Sequence, residues 1–340
     1  MIKATRTRLH GKTGLELTRL GLGTAPLGGL FAPVSEGEAR ATLEAAWQAG
    51  LRYFDTAPQY GNGVAEQRTG AFLQDKPRTD FVLSTKVGRL LRPGPLHKSQ
   101  LDPQGEPFFK GVPQLAQVYD YSYRGTMVSL EESLQRLGLS RVDILYIHDP
   151  DADNRTVSEV MQGAYRALVE LRQQEVVRAI GAGMNHTDWL LEFARAGDFD
   201  LLLVAGRYTL LEQGALCELL PLCLQKGIGV VAGGVYNSGL LARPAPGATY
   251  NYTAAPPELI MRAQALQKVC QRHGVPLKAA AIQFPLGHPA VVSVLTGARS
   301  GQELEENLQM FETPLPASLW EDLIAEGLLG QDVPIPVQEA

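Results

Sequence analysis

Residues 53–70 read YFDTAPQYGNGVAEQRTG. An aromatic, apolar stretch ends in Asp55, a short polar loop carries Tyr60 just before Gly61, and Val64 opens a segment of helical composition. That is the pattern of a strand passing through a tight loop into a helix, with two proton-bearing side chains at the junction. The same unit recurs on both sides. Upstream, LGLGTAP (20–26) reads as a strand and SEGEARATLEAAWQAG (35–50) as a helix, with Ser35 as N-cap, Glu38 closing a capping box and Gly50 as the stop. Downstream, further short apolar strands are FVLSTKVG (81–88), VDILYIHD (142–149), VVRAIGAG (176–183), DLLLVAG (200–206), GIGVVAGG (227–234) and VVSVLTGA (291–298). Amphipathic segments separate them, and GQELEENLQMF (301–311) ends the series.

Short strands without polar alternation are those buried on both faces. About eight strand–helix pairs of this kind predict a (β/α)8 TIM barrel. An open doubly wound sheet is the runner-up, and the chain has no correctly spaced G-x-G-x-x-G turn to support it. TRLHGKTGLELTRL (7–20) precedes the first unit and predicts an N-terminal β-hairpin. A barrel of 340 residues is expected to form one domain, 1–340. Its long interruption, 89–124 after the third barrel strand, is rich in Pro, Gly and aromatic residues and is expected to lie over the active-site mouth. Phe108, Phe109, Tyr119, Tyr121 and Tyr123 need something to cover and argue against a disordered insert; the three tyrosines could stack on a substrate ring, and a shorter loop at 243–257 is expected to assist.

Composition narrows the function. With 45% hydrophobic and 20% charged residues the chain has globular character, and its net charge of −5 gives no electrostatic reason to bind nucleic acid or an anionic membrane. The start has no secretory apolar run and no stretch is long enough to cross a bilayer, so a cytoplasmic protein is expected. Cys217, Cys223 and Cys270 form no CxxC pair and read as small buried hydrophobes in helices. The six histidines are scattered, with only His148 at a strand end, which argues against a metal-dependent hydrolase.

In the barrel reading four residues share one address: Asp55 at the end of the second strand, Tyr60 in the loop after it, Lys86 at the end of the third and His148 at the end of the fourth. Singly, they could be a helix cap, a loop aromatic, a solvated charge and a satisfied core histidine. Four titratable groups on one end of three adjacent strands suit a proton-transfer site better. Free tyrosine is a poor base at neutral pH, but an ammonium about 4 Å away is worth about 4 kcal/mol to its phenolate at an effective dielectric of 20.

These positions, in FDTAPQYG, LSTKVG and ILYIHD, resemble the Asp–Tyr–Lys–His tetrad of the aldo-keto reductases, and LTRLGLGT and LEENL extend the resemblance over nearly the whole chain. DYSYRGTMVSLEESLQRLGLSRVDILYIHD and LLVAGRYTLLEQ resemble the branch containing L-fucose, D-threo-aldose, L-galactose and pyridoxal 4-dehydrogenases. The resemblance implies an NAD(P)-dependent oxidoreductase in which Tyr60 is the general acid/base, Lys86 lowers its pKa, Asp55 holds Lys86 and His148 orients the substrate oxygen. It implies cofactor contacts from Thr24 and Asp55, from Asn185 to the carboxamide, from Ser238, Gly239 and Leu240 to the pyrophosphate, and from Gly297, Arg299, Glu303, Glu306 and Asn307 at the adenosine end. Glu303 stands where members preferring NADP carry Arg or Gln, so NAD is expected over NADP. Met184, Ala205 and Gly233–Gly234 depart from the common pattern around the nicotinamide. The expected reaction is oxidation of the anomeric carbon of a free aldose, of the L-fucose, L-galactose or D-arabinose type, to the lactone. Pyridoxal oxidation, general aldehyde reduction and a cofactor-sensing binding subunit are the alternatives.

Overall fold

The computed structural model describes residues 2–153 and 155–337. A hairpin comes first, β1 (Thr7–His10) antiparallel to β2 (Leu15–Thr18). Next come β3 (Leu20–Gly23), β4 (Tyr53–Asp55) and β5 (Val82–Val87), then a second antiparallel hairpin of β6 (Arg89–Arg92) and β7 (Ala116–Tyr119). The chain continues through β8 (Ile144–His148), β9 (Ala179–Met184), β10 (Leu201–Ala205) and β11 (Gly229–Gly233). A two-residue pair, β12 (Thr249–Tyr250) and β13 (Thr253–Ala254), precedes the last strand, β14 (Val291–Gly297). Strands β3, β4, β5, β8, β9, β10, β11 and β14 pair in parallel and close on themselves, with β14 against β3. The eight-stranded (β/α)8 barrel expected from the repeat is therefore the observed fold.

Closure creates two cores. Outward-facing strand residues pack under the helices. Inside the barrel, Tyr53, Ile144, Tyr146, Leu201, Val231 and Leu295 form a separate cluster with Leu15 and Leu17 of the first hairpin, which plug the lower end. Arg8 fixes that plug by donating to the carbonyls of Val291 (2.7 Å) and Pro289 (2.6 Å).

Helix α1 (Glu36–Gln48) begins with the expected capping box: Ser35 Oγ accepts from the Glu38 N–H at 3.2 Å, and the Glu38 carboxylate accepts from the Ser35 N–H at 2.9 Å. Helix α2 (Val64–Leu73) crosses the end of α3 (Tyr123–Leu137) so closely that a Cβ at Gly70 would lie 1.9 Å from the Leu137 carbonyl oxygen.

Several expectations need correction. The 89–124 interruption is folded as the β6–β7 hairpin, and its last two residues already belong to α3. A C-terminal helix, Ala317–Ala325, follows Gly301–Glu312 and buries Trp320. Cys217 lies in the turn between two helical segments and is exposed, whereas Cys223 and Cys270 are buried as expected. Among the described residues no helix is long and apolar enough to cross a membrane.

Two glycine substitutions test this packing. Gly70→Ala drives a methyl into backbone and is expected to lower the unfolding free energy in urea by at least about 2 kcal/mol. Gly37→Ala, in the open first turn of α1 with nothing within 4 Å, is expected to raise it by about 0.5–1 kcal/mol.

Candidate active site

Period-two alternation sends Tyr53 and Asp55 of β4, Ser84 and Lys86 of β5, and Tyr146 and His148 of β8 into the barrel. Register then decides who meets whom: Asp55 pairs with Ser84, and Lys86 with Tyr146. Lys86, 1% exposed, donates to Asp55 Oδ2 (2.6 Å), the Thr56 carbonyl (2.9 Å) and the Tyr60 hydroxyl (3.0 Å). All three ammonium protons are thus engaged. Tyr60 reaches this point because Gly61 turns the chain at φ +62, where a Cβ would sit 2.4 Å from the Gly28 carbonyl oxygen. The His148 ring stands edge-on to Tyr60, with centroids 6.0 Å apart. The four residues singled out from the strand ends are therefore neighbours.

Burial sets their titration. It pushes the Tyr60 phenol above its ordinary value; Lys86 pulls it back, while Asp55 pushes it up further. Burial opposes the charge on Lys86, but Asp55 and Tyr60 outweigh it and hold the ammonium above the usual lysine range. Burial, Arg89 and Lys86 together keep His148 well below the usual imidazole range, so it is neutral at physiological pH.

A second ion pair went unrecognised in the sequence. Arg89, 3% exposed, donates to Asp149 Oδ2 at 2.6 Å, and that oxygen lies 3.4 Å from His148 Nε2. Asp149 has φ +41, a left-handed backbone that an aspartate adopts at some cost. Tyr121 donates its hydroxyl to the His148 carbonyl at 2.6 Å. The available signal was a charge just past two of the strand-end residues, Asp149 directly after His148 and Arg89 three positions after Lys86.

Asp55 and Tyr60 open onto a cavity of about 360 Å3. Of the positions expected to hold a cofactor, Asn185, Ser238, Gly239, Gly297, Arg299 and Glu303 line it. Thr24 and Leu240 are buried outside the lining; Thr24 donates its N–H to the Asp55 carbonyl at 2.9 Å. Asn307 is buried and braces the wall, donating to the Gly297 carbonyl (3.3 Å) and accepting from the Tyr236 hydroxyl (3.1 Å). Glu306 stands off the cavity, paired with Lys278 at 2.7 Å. Glu303 binds both the Arg299 guanidinium (2.7 Å) and its N–H (2.9 Å). Burial works against the Glu303 carboxylate, and those bonds hold its pKa below the usual range.

Of the tyrosines expected to cover a substrate, Tyr119 and Tyr121 are buried and Tyr123 starts α3, so none lines the cavity. Phe31 and Tyr252 do. Their rings and Phe108 touch pairwise, with centroids 5.9–6.3 Å apart. The phenylalanines of 89–124 do reach the mouth, Phe109 with its ring 6.4 Å from Tyr60 and Phe108 against Phe31 and Tyr252, while its tyrosines turn away because hydrophobicity does not say which face a ring covers.

Can these residues hold a nicotinamide dinucleotide? Leu203, Ala205, Gly233 and Leu295 give an apolar stretch of wall. Asn237 lines the same cavity, 4% exposed, with Nδ2 near the Gly206 carbonyl and Glu212 (3.3 Å each) and Oδ1 without a partner. That leaves one fixed acceptor beside Ala205, where the common carboxamide-binding side chain is missing. Asn237, Ser238 and Gly239 in succession have φ +48, +57 and +99, the kind of strained loop found where backbone N–H groups face an anion. Apolar wall, orphan acceptor and strained loop fit such a molecule.

Comparison with known proteins agrees with this geometry. The family model described as "Aldo/keto reductase family" matches residues 19–325. A D-threo-aldose 1-dehydrogenase from Pseudomonas sp is 46% identical, covering 93% of this chain and 96% of that protein. A pyridoxal 4-dehydrogenase from Microbacterium luteolum is 43% identical, over 96% and 99%. The solved holo form of an aldo-keto reductase from Bacillus halodurans superposes with a TM-score of 0.72 at 26% identity, over 97% of this chain and 98% of the other. With the barrel, the strand-end cluster and these likenesses in agreement, the chain belongs to the aldo/keto reductase family.

Proposed function

We propose that this protein is an NAD-dependent dehydrogenase that oxidises the anomeric carbon of a free aldose to a lactone, with the 89–124 segment and the barrel working as one unit, 1–340. The observation that carries the reading is the Lys86 ammonium bridging the Asp55 carboxylate and the Tyr60 hydroxyl beside the cavity. The 46% identical relative named for D-threo-aldose oxidation supports the substrate class.

Lys86 donates to the Tyr60 oxygen, so the phenol proton is free to face a substrate. In the oxidative direction Tyr60 takes the anomeric hydroxyl proton as the C1–H bond breaks, and Lys86 stabilises the phenolate that begins the step. Neutral His148 holds the substrate oxygen at a fixed angle without competing for its proton. Bound nicotinamide supplies the hydride acceptor. The residues that would hold it are Asn185 and Asn237 for the amide, Ser238 and Gly239 for the pyrophosphate, and Arg299 and Glu303 for the far ribose. Glu303 would repel a 2′-phosphate and accept from a free ribose hydroxyl, which favours NAD.

The second reading is oxidation of pyridoxal, whose cyclic hemiacetal also yields a lactone; the 43% identical relative of that name favours it. NADH formation with L-fucose, L-galactose, D-arabinose and pyridoxal in parallel separates the two. Rapid NAD reduction by a sugar supports the first reading, activity with pyridoxal alone the second, and silence with every pair removes both.

Tyr60→Phe is expected to lower kcat about 10^3-fold while NAD affinity measured by fluorescence stays within about twofold; a kcat within tenfold of the parent takes Tyr60 out of the proton transfer. Because the Tyr60 pKa is raised and oxidation needs its phenolate, kcat for oxidation should climb about tenfold per pH unit until Tyr60 ionises, a rise absent from Tyr60→Phe. Glu303→Gln should move the NADP-to-NAD preference towards NADP by about tenfold in Kd. An unchanged ratio would remove Glu303 from cofactor choice.

A further inference from the structure

Beneath the four strand-end residues lies a second layer that no part of the reaction above uses. Ser84 Oγ donates to Asp55 Oδ1 at 2.6 Å, the carboxylate oxygen that Lys86 leaves free. Tyr53 OH lies 3.2 Å from Ser84 Oγ and 3.3 Å from Tyr146 OH. All three residues are fully buried. The fold makes room for the two rings with glycine. A Cβ at Gly21 would come 2.7 Å from the Tyr53 ring, and one at Gly181 would come 2.5 Å from that of Tyr146.

The direction of this chain is forced. Asp55, salt-bridged to Lys86, can only accept, so the Ser84 proton points at it; the Phe54 carbonyl, 3.5 Å away, is too distant to compete. Ser84 then has only a lone pair for Tyr53, and Tyr53 only a lone pair for Tyr146. Burial keeps both phenols protonated, so both remain donors. Three hydroxyls therefore point their protons one way along the chain, from Tyr146 through Tyr53 and Ser84 to Asp55, and each bond polarises the next.

We infer that Ser84, backed by Tyr53 and Tyr146, is a positioning residue that sets the proton affinity of Tyr60 through Asp55 and Lys86. The inference rests on the reading of Tyr60 as the proton-transferring group. A hydrogen bond into Asp55 Oδ1 draws negative charge away from the Lys86 side of the carboxylate. Without it, Asp55 cancels more of the Lys86 charge and repels the Tyr60 phenolate more strongly, so Tyr60 holds its proton to higher pH. The other groups facing Tyr60 are unaltered by this change: His148 at the end of β8 and Asp149 just after it, Arg89 behind Asp149, and Tyr252 from the β12–β13 turn.

The test is the pH profile of kcat for oxidation together with ultraviolet titration of tyrosinate, using the Tyr60→Phe difference spectrum to identify the Tyr60 band. Ser84→Ala should move both midpoints to higher pH by about half to one unit. Tyr53→Phe should move them the same way by less, and Ser84→Thr, which restores a hydroxyl, should return most of the shift. Tyr53→Phe keeps the ring that fills the barrel, so it answers the question even if Ser84→Ala folds poorly. Midpoints that stay put in both Ser84→Ala and Tyr53→Phe, with kcat lowered equally at every pH, would overturn the inference and leave the layer as packing alone. If the parent oxidises no sugar or pyridoxal, the dehydrogenase reading fails by itself. The tyrosinate titration then still decides this one, a moved band supporting it and a fixed band overturning it.

Discussion

An ammonium taken out of water costs several kcal/mol unless each proton finds an oxygen and the charge finds a partner. Lys86 meets that demand with Asp55, the Thr56 carbonyl and Tyr60, and much of the mouth of this barrel follows from it. Asp55 must sit one strand over at matching height, so β4 must run into its loop at that residue. The loop must then double back within five residues to bring Tyr60 over the charge, which requires Gly61 against Gly28. A barrel supplies such positions because inward residues on adjacent strands stack in layers.

The layers have different chemistry. The upper one is ionic and opens to the cavity, the next is a string of hydroxyls, and Val82, Ile144, Leu201 and Val231 pack with them and with the hairpin plug in one apolar cluster. The ionic layer is thus backed on its inner side by hydroxyl groups.

Much of this was legible in the sequence because it is local. The capping box at Ser35, the apolar runs and the strand-end positions of Asp55, Lys86 and His148 are fixed by periodicity and composition. What escaped depends on pairing across long separations. Arg89 and Asp149 are 60 residues apart and meet because β5 and β8 pair side by side, Val87 opposite Ile147, and each residue lies two positions further on. Tyr119 and Tyr121 carried the composition of a substrate platform, yet spend their hydroxyls on Ser99 and the His148 carbonyl. The cavity aromatics are Phe31 and Tyr252, both at φ +65; Tyr252 lies in the 243–257 loop expected to assist, whereas Phe31 follows the first barrel strand and was not singled out. The Ala317–Ala325 helix was missed because it lies beyond the last repeat unit, where the strand–helix rhythm offers no guide.

Phe31, Phe108 and Tyr252 come from loops that follow three different barrel strands, yet their rings form one cluster at the mouth. The loops of a barrel are commonly regarded as interchangeable parts on a fixed frame. Here they are a single joint. Each ring's position depends on the other two, so exchanging one loop with a relative would leave two aromatic faces without their neighbour. A recombinant mouth would hold its shape only if all three segments were transferred together, which makes that shape a property inherited as a set.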